Sequence, residues 1–166
     1  MIKDFKNEVD YYPTILKWLQ IYLENKNTNS IINTYDTHSI NLSDLIRREK
    51  LTKYFPDYST YEIRVDLIGT ILENQECDLV FVEVKKTSLS LINLSQILGY
   101  CKIFQPKQAF LISPTGFSKS LNRFLIHYRR LDILEFEKNK YIRVAKWNTT
   151  RNSIETDSIF PPLGNI

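Results

Sequence analysis

Two apolar segments of the chain each carry a carboxylate where a buried strand normally has none. The segment "YEIRVDLIGTIL" spans 61 to 72 and contains Asp66, and "CDLVFVEVKK" spans 77 to 86 and contains Glu83, with Lys85 two residues later. Because alternate side chains of a strand point to the same face, Glu83 and Lys85 share one face. Carboxylates and a lysine on one sheet face can bind a divalent cation and orient a water molecule beside it.

The connection between the two segments predicts how they pair. An antiparallel hairpin with an even-length loop centred on Asn74 and Gln75 places Asp66 opposite Glu83. Directly opposed side chains have Cβ atoms about 4.5 to 5.5 Å apart. Two carboxylates at this separation repel each other unless one is protonated or a cation lies between them. The sequence therefore predicts a cation site at this end of the hairpin.

The predicted cation is Mg²⁺ or Mn²⁺, because carboxylate oxygens with open water positions suit these ions better than they suit zinc. Lys85 would orient or help to deprotonate a metal-bound water, or neutralise charge on a phosphate in the transition state. This set of residues fits hydrolysis of a phosphodiester bond. A structural interpretation stays open, since Arg64 with Glu83 and Asp66 with Lys85 are diagonal neighbours that would form salt bridges.

At these residues the sequence resembles the PD-(D/E)XK nuclease superfamily, which includes restriction enzymes, repair exonucleases and junction resolvases. Asp66, followed after a hairpin by the run Glu83–Lys85, matches the motif, although Val65 precedes Asp66 where the motif name has proline. Glu8, in "NEVDYYP", is placed like the acidic residue that the family's first helix contributes to the metal. The resemblance covers about residues 4 to 114.

A further match lies in the helix predicted after Lys85. Its segment "QILGY" contains Gln96 and Tyr100 and is similar to the QxxxY element of the RecB-like branch. The histidine that this branch often places upstream has no counterpart, since His38 and His127 fit no such position. The cysteine cluster of the iron-sulfur members is also absent from the sequence.

The resemblance implies roles for individual residues. Glu8, Asp66 and Glu83 would hold one or two Mg²⁺ or Mn²⁺ ions, with the backbone carbonyl of Val84 as a further ligand. Lys85 would position or activate the attacking water. The residues with implied catalytic roles are Glu8, Asp66, Glu83, Lys85, Gln96 and Tyr100, of which the last two would orient substrate or support the lysine.

The expected activity is metal-dependent hydrolysis of DNA with low sequence specificity, because no helix with base-reading side chains stands out. The alternative is a nucleic-acid-binding or protein-interaction domain of the same fold without catalysis. A net charge of +3 supports no claim about nucleic acid by itself. The basic side chains expected to contact DNA phosphates are Lys86, Arg47, Arg48, Arg129 and Arg130.

Composition limits the class of protein. With 166 residues and 43% apolar residues, the chain is expected to form one domain over 1–150, followed by a C-terminal tail over 151–166. No stretch has the length and apolarity of a membrane helix or the pattern of a signal peptide, so the expected location is the cytoplasm, with no membrane partner. Cys77 and Cys101 lack CxxC spacing, which argues against a zinc site, an iron–sulfur cluster or a disulfide scaffold. Many relatives cut two strands as dimers, so a homodimer is one expected assembly.

The elements that would position these residues follow from hydrophobic periodicity. An amphipathic helix is predicted over 4–24, either kinked at Pro13 or regular only from about Pro13 onward. A short helix in "NLSDLIRREKL" is expected to be capped by Ser43 or Asp44. The other predicted elements are strands at 30–37, 61–72, 77–86, 108–114, 132–137 and 141–148 and helices at 88–104 and 118–130. This order predicts an α/β fold with a mixed central sheet flanked by helices and, with the resemblance, a restriction-endonuclease-like core.

Overall fold

The computed structural model describes residues 6–162 of the chain. In this range a mixed seven-stranded sheet is flanked by helices, which confirms the predicted α/β class. The strands are β1 (Ile31–Asp36), β2 (Leu67–Glu73), β3 (Glu76–Val84), β4 (Gln108–Ser113), β5 (Glu135–Glu137), β6 (Lys140–Asn148) and β7 (Ser153–Ile154). The α-helices are α1 (Tyr12–Lys26), α2 (Leu42–Arg48), α3 (Leu91–Phe104) and α4 (Lys119–Asn122). None of the helices described is long and apolar enough to cross a membrane.

The strand order of the sheet is β1-β2-β3-β4-β6-β5, and β7 pairs with β6. The first three strands are antiparallel neighbours, whereas β3, β4 and β6 run parallel. A parallel pair needs a crossover connection, which α3 provides between β3 and β4. Consequently the ends of β1 and β3 and the start of β2 lie at the same edge of the sheet.

The β2–β3 hairpin has the predicted register. Glu73 pairs with Glu76, and Leu67 pairs with Val82. The turn residues Asn74 and Gln75 have φ values of 49° and 68°, the left-handed backbone that two-residue hairpin turns require. The turn length therefore sets the face to which each side chain of the hairpin points.

The prediction that β2 begins at residue 61 is wrong, because the strand begins at Leu67. The preceding segment makes its hydrogen bonds elsewhere, since the amide of Leu42, at the start of α2, donates to the carbonyl of Ile63. The amide of Thr37 donates to the carbonyl of Asp66. The first amides of a helix have no partner within it, so the segment before β2 supplies acceptors instead of extending the ladder.

The first helix begins where one of the two predicted alternatives placed it. A 3₁₀ turn over Glu8–Tyr11 precedes α1, and Pro13 lies in the first turn of α1, where its missing amide costs no hydrogen bond. Ile15, Leu19 and Leu23 of α1 pack on the sheet. Phe5, which belongs to the predicted apolar stripe, lies outside the described residues.

The caps and ends of three other segments differ from prediction. The residue before α2 is Asn41 rather than Ser43 or Asp44, and its Oδ1 accepts a hydrogen bond from Arg64 instead of capping the helix. The helix predicted over 118–130 is α-helical only over Lys119–Asn122 and continues as a π-helix over Arg123–His127. Within 151–166, expected as a tail, β7 pairs with β6, and Phe160 exchanges backbone hydrogen bonds with Val144.

Two apolar layers enclose the sheet. One layer lies under α1 and includes Leu19, Leu23 and Leu67. The other lies under α2, α3 and α4 and includes Ile46, Ile97, Leu121 and residues of β3 and β4. The alternation of side chains along β3 assigns Val80 and Val82 to the α1 layer and Leu79 and Phe81 to the opposite layer. By the same alternation, Glu83 belongs to the face that carries α3.

Gly69 of β2 lies directly beneath α1, and an alanine there should destabilise the fold. A Cβ at this position would come within 2.8 Å of Leu23 Cδ1 and 3.4 Å of Val80 Cβ, which are both fully buried. Overpacking of this kind typically costs about 1 to 3 kcal/mol of unfolding free energy. We expect Gly69→Ala to lower the midpoint of urea unfolding.

Gly99→Ala is the matched control for this prediction. Gly99 lies in α3, and a Cβ there meets no atom within 4 Å, so alanine should raise the unfolding free energy by up to about 1 kcal/mol. Equal effects of the two substitutions would contradict the close packing of α1 on β2.

Candidate active site

Four of the predicted site residues come together at the sheet edge where β3 ends. Glu8 is the first residue of the 3₁₀ turn before α1, and Asp66 directly precedes β2. Glu83 is the second-to-last residue of β3, and Lys85 directly follows that strand. The Lys85 Nζ atom lies 2.8 Å from Glu83 Oε1, 3.8 Å from Asp66 Oδ2 and 3.9 Å from Glu8 Oε2. One ammonium group therefore contacts three carboxylates from three separate parts of the chain.

Glu83 is the most buried member of this cluster. Its side chain is 4% exposed because β3 is a central strand, paired with β2 on one side and β4 on the other. The Oε2 atom of Glu83 is buried and has no hydrogen-bond partner among the described residues. Burial and the nearby charge of Asp66 raise the pKa of Glu83 above its usual range, although Lys85 acts in the opposite direction.

Asp66 is held by the end of β3. The backbone amide of Val84 donates to Asp66 Oδ2 at 2.8 Å, so the Asp66 side chain lies beside the strand that carries Glu83. This contact agrees with the register that places Asp66 opposite Glu83. The backbone carbonyl of Val84 as a metal ligand stays a prediction.

Lys85 remains a cation in this environment. Its side chain is 19% exposed, and burial by itself lowers the pKa of an ammonium group. The carboxylates of Glu83, Asp66 and Glu8 act in the opposite direction and together raise the pKa of Lys85 above its ordinary value. A protonated Lys85 can donate hydrogen bonds to anionic oxygens.

Glu8 connects the N-terminal segment to the end of β3. Its Oε2 atom accepts a hydrogen bond of 3.1 Å from the backbone amide of Lys86, in addition to its contact with Lys85. The Nζ atom of Lys86 donates to the carbonyl of Lys6. The Lys86 side chain, predicted to contact DNA, is therefore directed to the N-terminal segment in this structure.

Tyr12 is a site residue that the sequence reasoning missed. It is buried, and its hydroxyl lies near the Asp66 side chain; burial and the nearby carboxylates raise the pKa of Tyr12. Its ring lies 5.5 Å from that of His38, whose Nδ1 is 2.6 Å from Asp36 Oδ1. The signal that was available is spacing, since Tyr12 follows Glu8 by four residues and therefore lies near it on a helical path.

Gln96 and Tyr100 lie on α3, outside the four-residue cluster. Gln96 is exposed, and its Nε2 atom lies 3.3 Å from the hydroxyl oxygen of Tyr100. No hydrogen bond in the described part of the chain links either side chain to Lys85 or to the carboxylates. Their roles toward substrate or lysine stay predictions.

The arginines predicted to contact DNA are exposed, and two of the four are paired with carboxylates. Arg47 pairs with Asp44 at 2.7 Å near the end of α2, and Arg48 beside it is exposed. Arg130 pairs with Asp132, whereas the neighbouring Arg129 is exposed. The contact of these side chains with DNA stays a prediction.

The donor chemistry of the cluster fits a hard divalent cation, since carboxylate oxygens are the ligands that Mg²⁺ and Mn²⁺ prefer. The buried Oε2 atom of Glu83 is an acceptor without a partner in the described structure. No three His, Cys, Asp or Glu side chains among residues 6–162 are arranged as ligands of one metal ion, and the Lys85 ammonium lies among the three carboxylates instead. A metal ion would therefore compete with Lys85 for these oxygens.

The expected salt-bridge network is formed only in part. Lys85 Nζ and Asp66 Oδ2 are 3.8 Å apart, but Arg64 donates to Asn41 and forms no ion pair with Glu83 in the described structure.

Comparison of the chain with protein-family models, with curated proteins and with solved structures finds no match. The functional assignment therefore depends on the geometry of the cluster.

The raised pKa of Glu83 predicts a pH dependence of stability. The folded state holds a proton on Glu83 at pH values at which the unfolded state has already lost it, so the free energy of unfolding should fall as pH rises from about 4.3 through the raised pKa. Glu83→Gln cannot ionise and should lack this decrease. We expect the variant to gain stability relative to the wild type as pH rises above about 4.3, up to the raised pKa of Glu83, measured by urea unfolding.

Glu76→Gln is the control for this experiment, because Glu76 is an exposed carboxylate at the other end of β3. A stability difference between wild type and Glu83→Gln that does not change with pH would contradict the assignment of a raised pKa to Glu83.

Proposed function

We propose that the protein is a cytoplasmic metal-dependent nuclease of the PD-(D/E)XK type, which hydrolyses DNA phosphodiester bonds with Mg²⁺ or Mn²⁺. The observation that carries this proposal is the contact of Glu8, Asp66 and Glu83 with the single ammonium of Lys85 at one sheet edge. The match between this cluster and the motif residues is what favours a nuclease over other metal-dependent hydrolases.

The charge of the cluster supports a role in cation binding. With all three carboxyl groups ionised, as metal ligands would be, the cluster and its one ammonium would carry a formal charge of −2, in a site where Glu83 is buried and Asp66 is largely buried. An excess of negative charge away from water is unfavourable, and a structural ion-pair network would be expected to balance its charges. A divalent cation would neutralise this excess.

The proposed roles follow from the positions of the side chains. Glu8, Asp66 and Glu83 would hold the metal ion, which when bound supplies an activated water and neutralises charge on the phosphate. Lys85 would donate hydrogen bonds to the attacking water or to the oxygens of the phosphate, where negative charge develops in the transition state. Tyr12 would orient the Asp66 carboxylate through its hydroxyl, as a positioning residue.

DNA contact beyond this cluster would depend on exposed basic side chains. Arg48 and Arg129 are exposed and form no ion pair with a carboxylate among residues 6–162, whereas Arg47 and Arg130 would have to exchange a carboxylate partner for a phosphate. Affinity for DNA should fall steeply with salt, because each phosphate contact releases condensed counterions.

The first test is Mn²⁺-dependent cleavage of labelled single-stranded, duplex and four-way-junction DNA. We expect the wild type to cleave at least one substrate, and Glu83→Ala and Lys85→Ala to lose about 100-fold or more of this activity. Asp78→Asn and Lys107→Ala are matched controls, because these residues form an exposed ion pair of 2.8 Å near the opposite end of β3. The controls should retain wild-type activity.

One specific observation favours a second function. The close pair of Lys85 with Glu83 already supplies a cation to the most buried carboxylate, as expected for a domain of this fold that binds nucleic acid or protein without catalysis. Absence of cleavage on every substrate, together with no Mn²⁺ binding by calorimetry, would contradict the nuclease proposal and favour this alternative.

Lys85→Met tests whether a metal ion can replace the ammonium. Without Lys85 the three carboxylates lose their shared cation, so the metal-free variant should lose about 3 kcal/mol of unfolding free energy. Mn²⁺ binds only the folded site and should restore stability in proportion to its affinity. We expect Mn²⁺ to raise the Tm of Lys85→Met by more than it raises the Tm of the wild type.

The double variant Lys85→Met, Glu83→Gln is the control for this measurement, because it lacks a metal ligand as well as the ammonium. Equal responses of the two variants to Mn²⁺ would contradict metal binding at the cluster.

A further inference from the structure

The segment after α4 has an unusual backbone. The α-helix passes into a π-helical turn over Arg123–His127, in which the amide of Tyr128 donates to the carbonyl of Arg123 at 2.9 Å. Arg129 then has a φ of 51°, a left-handed backbone conformation that residues other than glycine rarely adopt. π-turns occur frequently at functional sites, so the surface of this segment is a candidate for a binding role.

This segment forms a basic groove. The groove has a volume of about 510 Å³ and is lined by Asn122, Arg123, Ile126, His127 and Arg129. None of these lining residues is acidic. Among residues 6–162, no carboxylate forms an ion pair with Arg123 or Arg129, because the nearby Asp132 is engaged through both oxygens by Arg130. Arg123 donates through Nη2 to the Tyr128 hydroxyl at 3.1 Å. The groove therefore presents the guanidinium of Arg129 and the remaining N–H groups of Arg123 to an anion.

An aromatic ring lies beside these cations. Tyr128 is 51% exposed, and the Arg123 guanidinium lies 5.7 Å from the centre of its ring. Phe124 packs edge-on against Tyr128 at 5.9 Å, which fixes the plane of the ring. Leu121 and Leu125, from the same segment, are buried in the core and anchor it. An exposed, held aromatic ring beside arginines is the arrangement on which nucleic-acid bases stack.

The groove is connected to the candidate active site through the start of α4. The hydroxyl of Thr115 donates to the carbonyl of Lys86 at 3.2 Å, and the amide of Ser118 donates to the carbonyl of Leu89 at 2.8 Å. Arg123 follows Ser118 by five residues, which corresponds to about 7 to 8 Å along a helix. A nucleic-acid strand in the groove would therefore be within a few nucleotides of the sheet edge that carries Glu83 and Lys85.

We propose that the groove binds single-stranded nucleic acid, with phosphates on Arg123 and Arg129 and a base stacked on Tyr128. This proposal deepens the proposed nuclease function and rests on it for the identity of the substrate. A single strand is specified because stacking on Tyr128 needs a base that is free of its partner, which a duplex does not offer.

Binding is tested apart from cleavage by fluorescence anisotropy in EDTA. The probes are labelled oligothymidylate and oligouridylate of about ten nucleotides and a duplex of the same length. We expect wild type to bind the single strands about tenfold more tightly than the duplex, and the difference between the two single strands to assign DNA or RNA.

The variants separate local contacts from overall charge. The double variant with Arg123→Gln and Arg129→Gln should weaken single-strand binding about tenfold. It should also reduce the magnitude of the slope of log affinity against log salt concentration by about 1.4. Tyr128→Leu should weaken single-strand binding about tenfold, whereas Tyr128→Phe, which retains the ring, should bind the single strand almost as tightly as the wild type. The control is the double variant with Lys17→Gln and Lys26→Gln. It also removes two positive charges, but from exposed positions of α1 on the opposite face of the sheet.

Two outcomes would overturn the groove proposal. The first is single-strand affinity that is equal in the arginine variant and the Lys17, Lys26 control, with folding of both confirmed by circular dichroism. The second is displacement of the oligonucleotide by a phosphopeptide that binds more tightly. Wild-type cleavage that persists with either result leaves the nuclease proposal standing. Groove-dependent binding without cleavage of any DNA or RNA supports the groove and overturns the nuclease.

Discussion

The register of the β2–β3 hairpin is the constraint on which the site depends. Side chains alternate along a strand, so a slip of one residue would send Asp66 to the opposite face from Glu83 and Lys85. The left-handed turn at Asn74 and Gln75 excludes that slip, because it fixes which residues of the two strands pair. A turn at one end of the hairpin thus determines the chemistry at the other end.

The second determinant is where in the sheet the hairpin lies. With β2 on one side and β4 on the other, β3 is a central strand, and its last residues are removed from water. Burial makes ionised Glu83 costly, and the pairing with Lys85 offsets only part of that cost, as the raised pKa of Glu83 shows. The same burial strengthens every electrostatic interaction within the cluster, which is what a site that acts on an anionic substrate needs.

Two further segments of the chain reach this edge of the sheet, one from each face. The N-terminal segment brings Glu8 to the end of β3 before α1 crosses one face of the sheet. The loop before α4 contacts Lys86 and Leu89 and leads to the π-turn on the other face. A strand of nucleic acid that reached the cluster would meet chain segments from both faces, one that contributes a carboxylate and one that contributes arginines without a carboxylate partner among residues 6–162.

The local features could be predicted from the amino-acid sequence: the α/β class, the hairpin register, and the presence of Asp66, Glu83 and Lys85 on one face. These follow from apolar alternation and turn chemistry, which act over a few residues. The start of β2 at Leu67 depends on tertiary contacts, because the carbonyls of Ile63 and Asp66 accept hydrogen bonds from Leu42 and Thr37 rather than from β3. It also decided the contact of Tyr12 with Asp66 and the π-turn after α4, since both depend on packing between segments distant in sequence or on a backbone that periodicity does not distinguish from an α-helix.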